Sequence, residues 1–377
     1  GAFLDGVEKR ERWEVTNAKR SVGAPRLARA LAELGRSAPG LVGAIEGSGK
    51  FGEGRAGRAI RANKRLAAVA WRDRKGLMEV YDEDGGDFNP VCYATLANRM
   101  GRLMGRDVQA LKRDAGYRRF LGELPAQIER GDLRTVSAIA HALAKLREPG
   151  AAEALDAVQE RAPEVAAEGA PLQVGNLLWA LAKLGRDPGG EAMCAADGRG
   201  AELADGGGPG VVANVAWAAA AAGRDAPGLL GEVRRRGGWL AKKGEVRQIA
   251  KVLESFMKLR REPGSELLDA VNKRGEWVVR TGYSQAVVVI LRAFVKAKRP
   301  APDLMDRLEF YGEELLEAPS SDFKDAKDFA WAFKKMGREV PHWLRGGIDK
   351  AHELNVQKGY DLKWPLQREL GTGREFS

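Results

Sequence analysis

The feature that most limits how this chain can fold is a repeat. The segment LLWALAKLGRDP around Trp179 has relatives in HALAKLREP, WAAAAAGRD, ESFMKLRREP, RAFVKAKRP and WAFKKMGRE. With Trp179 as anchor, the equivalent residues are His141, Trp217, Glu254, Arg292 and Trp331, and the six anchors are spaced by 38, 38, 37, 38 and 39 residues. Self-similarity at such a period marks stacked supersecondary units, each able to bury its apolar faces only against its neighbours.

Each unit predicts two helices. Around Trp179, Val174, Leu177, Leu178, Leu181 and Leu184 recur at three- and four-residue steps, the stripe of a helix buried on one side. Gly185 offers a left-handed stop, and Pro188 follows. The second helix reads clearly in AAEALDAVQERA and SELLDAVNKRGEWV. No segment alternates with period two between hairpin turns, so the expected class is all-α, an α-solenoid of stacked helix pairs. Between Trp179 and Trp217 the second helix must use a glycine-rich stretch, and glycine costs about 1 kcal/mol per interior position relative to alanine. A short or frayed helix is expected near residues 191–204, with a loop at 205–210. The organisation predicted is a basic, partly irregular extension over 1–76, a helical lead-in over 77–132, six repeats over 133–350, and a tail over 351–377.

A helical pair of this length with a W-A-L-A-K-L-G core resembles the octotricopeptide repeat family, RNA-binding α-solenoids of organelles. The likeness is strongest at Trp179–Gly185, and Val340-Pro341-His342-Trp343 partly matches the family's P-E-W element. It covers about residues 133–350, and DFNPVCYATLANRMGRLMG before them is similar to the unit that opens such arrays. What the resemblance implies is a non-catalytic RNA-binding protein, in the mitochondrial matrix or, alternatively, the plastid stroma. Its expected partner is ribosomal RNA with neighbouring ribosomal subunits, or else an organellar transcript. Some relatives end in a nuclease-like domain, whose pattern the tail LNVQKGYDLKWPLQREL does not show.

Charge supports an anionic partner. The chain has 62 Lys+Arg against 52 Asp+Glu, a net charge of +10. Four residues after the anchor stand Lys145, Lys183, Ala221, Lys258, Lys296 and Lys335; seven after it stand Glu148, Arg186, Arg224, Arg261, Arg299 and Arg338. In a stack, equivalent positions form ladders, and cations so placed can follow a phosphate backbone. The competing explanation is that Lys and Arg at a helix C-terminus complement the macrodipole. Three before the anchor stand Ala138, Asn176, Asn214, Lys251, Val289 and Asp328, a variable row in which Asn176 and Asn214 are candidates for reading bases. The anchor tryptophans suit either base stacking or packing between repeats, with packing favoured.

Most of the net charge lies early: residues 1–130 hold 25 basic and 17 acidic residues. The densest stretch contributes Lys50, Arg55, Arg58, Arg61, Lys64, Arg65, Arg72, Arg74 and Lys75, expected as a flexible arm leading into a basic helix that orders along RNA. Lys112, Arg113, Arg118 and Arg119 form a second cluster beside Tyr117 and Phe120, which can stack or pack. Asp82, Glu83 and Asp84, with Asp87 nearby, read as a solvated loop or helix start.

Other chemistry finds little footing. GAIEGSGKF has Ala44 at the first glycine of a phosphate-binding loop and Phe51 where its hydroxyl belongs. There is no Cys-x-x-Cys or His-Glu-x-x-His, so no metal, cofactor, small-molecule substrate or catalytic residue is expected. His141 reads as a packing residue. Cys92 and Cys194 give no disulfide framework and fit a reducing compartment. No run is apolar enough to span a membrane. The first residues lack the form of a signal peptide, and Gly1 fits a processed end or the edge of a longer chain. Because the repeats are nearly neutral in sum, a protein-binding scaffold remains the competing class.

Overall fold

The computed structural model describes residues 54–148, 150–317 and 323–345, and their regular structure is entirely helical. They fall into two compact units, one ending at Val158 and one beginning at Gln159.

In the first unit, α1 (Arg55–Ala68), α2 (Arg74–Asp84), α3 (Pro90–Met100), α4 (Arg106–Arg113), α5 (Ala115–Arg130) and α6 (Leu133–Leu146) follow one another. Helix α3 packs between α1 and α6, so the stacking begins before the recognisable repeats. Asp73, Asn89, Asp114 and Asp132 cap α2, α3, α5 and α6 by accepting first-turn N–H groups. Tyr81, Phe88, Tyr93, Tyr117 and Phe120 form a buried aromatic cluster with neighbouring centroids 5.7–6.4 Å apart. Tyr117 and Phe120 therefore pack. The Tyr81 and Tyr93 hydroxyls both donate to the Glu123 carboxylate, which satisfies their polar ends.

Helix α1 is the basic helix expected in this segment, and it is packed within the unit. It buries Gly57, Ala59, Ala62 and Leu66. Arg58 pairs with Asp87, and Arg65 with Glu83 and Asp84. The acidic run is thus the C-terminal turn of α2, neutralising an adjacent basic helix. Lys50 lies outside the described residues.

Helix α7 (Ala152–Glu160) runs across the division, and the second unit continues with α8 (Ala162–Glu168), α9 (Pro171–Lys183), α10 (Gly190–Gly198), α11 (Gly200–Ala221), α12 (Pro227–Arg235), α13 (Gly237–Lys243), α14 (Val246–Lys258), α15 (Ser265–Lys273), α16 (Gly275–Thr281), α17 (Ser284–Lys296), α18 (Pro302–Glu317) and α19 (Phe323–Lys335). Two layers result. The anchor-bearing helices α9, the second half of α11, α14, α17 and α19 pack successively on one another as a first layer. The remaining helices stack as a second layer.

The expected loop at 205–210 does not form. Helix continues to residue 207, Gly208 alone breaks it at φ 68°, and Pro209 opens the next helix. Glycine tolerates that left-handed turn, and proline is pre-set for a first helical position.

In four repeats the second helix is likewise split. It breaks at Arg161, followed by Ala162, and at Arg199, Arg236 and Arg274, each followed by glycine, while α18 is continuous. A Cβ on Gly237 would sit 2.5 Å from Leu267 N, and one on Gly275 2.6 Å from Leu304 Cα. Backbone of the next repeat touches these two joints directly, so only glycine fits there. The joint arginine reaches back: Arg199 donates to Ala166 O and Gly169 O at 2.8 Å each, and Arg274 to Ala241 O. These are carbonyls at the end of the preceding repeat's helix, which lack intrahelical partners. Asp197 and Asn272 reach forward, accepting from Leu229 N at 2.8 Å and Leu304 N at 3.1 Å.

First helices end alike. The N–H of Glu148, Arg186, Arg224, Arg261, Arg299 and Arg338 bonds the carbonyl five residues earlier, behind a left-handed residue. That residue is Gly185, Gly223 or Gly337 in three repeats, but Arg147, Arg260 and Lys298 take φ 51–53°. Left-handed backbone costs a side-chain-bearing residue about 1–2 kcal/mol. Lys298→Gly should therefore raise stability by about 0.5–1 kcal/mol after the entropy cost of glycine. Gly275→Ala should lower it by about 1–3 kcal/mol, since the backbone facing it must move. Denaturant titration of both variants checks the signs.

Candidate functional site

Among the described residues the first layer leaves one face uncovered. Positions seven and three before the anchor, the anchor, and four after it lie on one side of a helix, and all are exposed or half-buried. In the second unit this face carries Lys183, Arg247, Lys251, Lys258, Arg292, Lys296, Lys324 and Lys335 against two carboxylates, Glu254 and Asp328. It also holds Asn176, Asn214, Trp179, Trp217 and Trp331. In the first unit, α6 carries Arg134, His141 and Lys145 at the same register.

The layers differ in charge. Over 171–183, 209–221, 246–258, 284–296 and 324–335, ten cations accompany three carboxylates. Over 190–207, 227–243, 265–281 and 302–316, ten cations accompany thirteen carboxylates. A near-neutral array is thereby polarised across its thickness.

The two cationic ladders separate in space and in role. Lys145, Lys183, Lys258, Lys296 and Lys335 are all exposed. Lys258 pairs with Glu254 at 2.8 Å along its own helix. Among the described residues Lys183, Lys296 and Lys335 have no carboxylate partner. The arginines are paired within the protein. Arg224 grips Asp187 at 2.6 and 3.0 Å, Arg261 pairs with Asp225, Arg299 with Asp269 at 2.6 Å, and Arg338 with Asp306 at 2.5 Å. Each partner lies about thirty to forty residues back, so the arginines tie repeat to repeat. Arg224 and Arg261 hold Asp187 and Asp225 below the usual carboxylate range. Arg186 is also engaged within the protein. Inter-repeat pairing is the observed role of Arg224, Arg261, Arg299 and Arg338.

Basic residues of the first unit divide similarly. Arg74 pairs with Asp114, Arg119 with Asp82, and Lys112 with Glu148; Arg61 and Lys64 have partners within the protein. Arg55, Arg72, Lys75, Arg113 and Arg118 are exposed.

The row before the anchors is more connected than its variability implied. Lys251 donates to Asn214 Oδ1 at 3.2 Å, and its ammonium lies 5.6 Å from the Trp179 ring centre and 5.7 Å from that of Trp217. Burial lowers the Lys251 pKa, and the nearby Arg247 and Lys183 charges add to the effect. Asp328 pairs with Arg292 at 2.6 Å. This meeting of two tryptophans, a lysine and an asparagine on three successive helices was not foreseen. Its signal was available, since these residues share the 38-residue register.

Among the described residues no group of His, Cys, Asp and Glu could hold a metal ion, and no helix is long and apolar enough to cross a membrane. No protein-family profile matches the chain, and no curated protein sequence matches it. The internally repeating helical architecture stands on its own geometry, without a family assignment.

His141 is half-buried, and its pKa falls to about 4, first from burial and then from Lys145. A folded value below the unfolded value of about 6.5 means that protonation favours unfolding. Stability should be complete above pH about 6.5 and decline as pH falls toward 4, by a slope that His141→Phe reduces. Urea midpoints measured across that range check this.

Proposed function

We propose that this chain is a non-catalytic, macromolecule-binding helical-repeat protein whose first-layer face takes RNA. The observation that carries the reading is the polarisation of the array, with a lysine ladder exposed on its basic side while the arginines are neutralised internally. A polyanion lying across stacked helices meets one ladder position per repeat, at the 8–10 Å spacing of packed helices, and each phosphate neutralised releases counterions. Tryptophan and asparagine on the same face add surfaces for bases. The likeness of the W-A-L-A-K-L-G core to octotricopeptide repeats points the same way. Within this reading, the basic lead-in fits attachment to a large structured RNA, an organellar ribosomal RNA in the mitochondrial matrix, with a transcript-specific factor and the plastid as the alternatives.

A second reading has its own observation. Phe310 is 74% exposed on α18, among Asp303, Asp306, Glu309, Glu313 and Glu314. An acidic surface with an aromatic residue suits a basic protein partner, as in a scaffold.

Salt-dependent binding separates the two. Replacing Lys145, Lys183, Lys258, Lys296 and Lys335 together by alanine should weaken RNA binding at least tenfold. It should also lessen the slope of log affinity against log salt by roughly 0.7 for each single-strand phosphate that the variant no longer neutralises. Unchanged affinity and slope would remove the ladder from the interface and favour the scaffold.

A further inference from the structure

We propose that Trp179, Trp217, Asn214 and Lys251 form one subsite for an unstacked nucleobase and its phosphate, a proposal that rests on the RNA reading above. The four residues come from α9, α11 and α14, three successive first-layer helices, and converge on a single ammonium group. Two half-buried indoles on neighbouring helices offer extended π-faces on the basic side of the array. Among the described residues no other pair of tryptophans shares a cation.

In the free chain Lys251 covers these rings. Its distances of 5.6 and 5.7 Å stand near the outer limit of about 6 Å for an attractive cation–π contact. The hold is therefore weak, and a stacked base competes for the same faces. The ammonium is also poorly placed as a purely structural clasp: it is partly desolvated, Lys183 and Arg247 crowd it with like charge, and its one hydrogen-bonding partner is a neutral amide. Glu254 offsets that crowding only in part, being itself paired with Lys258, and a phosphate arriving with the base adds counter-charge.

Asn214 is oriented by the same contact. An ammonium only donates, so Asn214 must turn its oxygen toward Lys251. Its amide N–H₂ is then directed elsewhere, available to acceptors on a base edge. Lys183, one turn beyond Trp179 on α9, is exposed and extends the phosphate track. The subsite thus combines stacking, edge contact and charge within one repeat-to-repeat step, as single-strand readers do.

The test uses the full chain with two labelled probes, a twelve-nucleotide oligouridylate and an RNA duplex of twelve base pairs, followed by fluorescence anisotropy. Trp179→Leu combined with Trp217→Leu should weaken oligouridylate binding about tenfold, leaving duplex affinity and the salt slope unchanged. Trp179→Phe with Trp217→Phe, which keeps a stacking face, should retain most of the single-strand affinity. Equal binding of both probes by the leucine variant and the parent overturns the subsite while leaving the lysine face intact. An equal loss for both probes also overturns it, because the rings then act only through packing. Failure of the parent to bind either probe overturns both this proposal and the RNA reading. Should the leucine variant not fold, ultraviolet cross-linking of oligouridylate to the parent decides. Cross-links on the peptides 162–183 or 200–224 support the subsite, and cross-links confined elsewhere overturn it.

Discussion

Everything in the second unit depends on how closely successive second-layer helices approach at the arginine–glycine joints. Backbone meets backbone there, with no room for a single methyl group at Gly237 or Gly275. Arg199 and Arg274 satisfy carbonyls of the repeat behind, Arg236 pairs with Asp205 there, and Asp197 and Asn272 satisfy amides of the repeat ahead. Groups that a helix end would otherwise leave to water become the cement between repeats. The spacing set in the second layer is transmitted to the first, whose helices carry the exposed side chains at a matching interval.

That division of labour explains how a protein with alternating charges can still present a one-sided surface. Arginines are used where direction matters, forking onto carboxylates and carbonyls of adjacent repeats. Lysines occupy the outward ladder, where, on the proposed function, a mobile, strongly hydrated point charge suits a flexible backbone of phosphates without demanding one geometry. The first unit follows the same pattern. Much of the basic density around α1 and α5 closes on Asp82, Glu83, Asp84, Asp87 and Asp114, so local charge density overstates what faces solvent.

Much of the architecture was legible in the chain. The 38-residue period, the all-α class and the left-handed stop at Gly185 follow from spacing and from the singular backbone of glycine. What resisted reading was three-dimensional pairing. Arg224 and Asp187 are 37 residues apart, and nothing local to either says that they meet. The glycines of 206–208 signalled a loop because propensity counts only the isolated chain; residues 205–207 are helical, and Gly206 lies so close to Pro171 that an added Cβ would sit 2.9 Å from its ring. The arginine–glycine joints are visible as RG at Arg199, Arg236 and Arg274, but they lie outside the apolar stripe, and hydrophobic spacing says nothing of them. Packing was the favoured role for the anchor tryptophans; Trp179 and Trp217 are half-buried and Trp331 is exposed, and only the fold shows that two of them share one lysine.

The central claim is that the first layer, and not the second, meets RNA. It is tested most directly by amine-reactive footprinting of the intact chain with and without bound RNA, with modified lysines quantified by mass spectrometry. Protection of Lys183, Lys258, Lys296 and Lys335, with Lys242, Lys243 and Lys273 on the second layer modified as before, is the result predicted. Protection of the second-layer lysines, or equal protection of both sets, would contradict it.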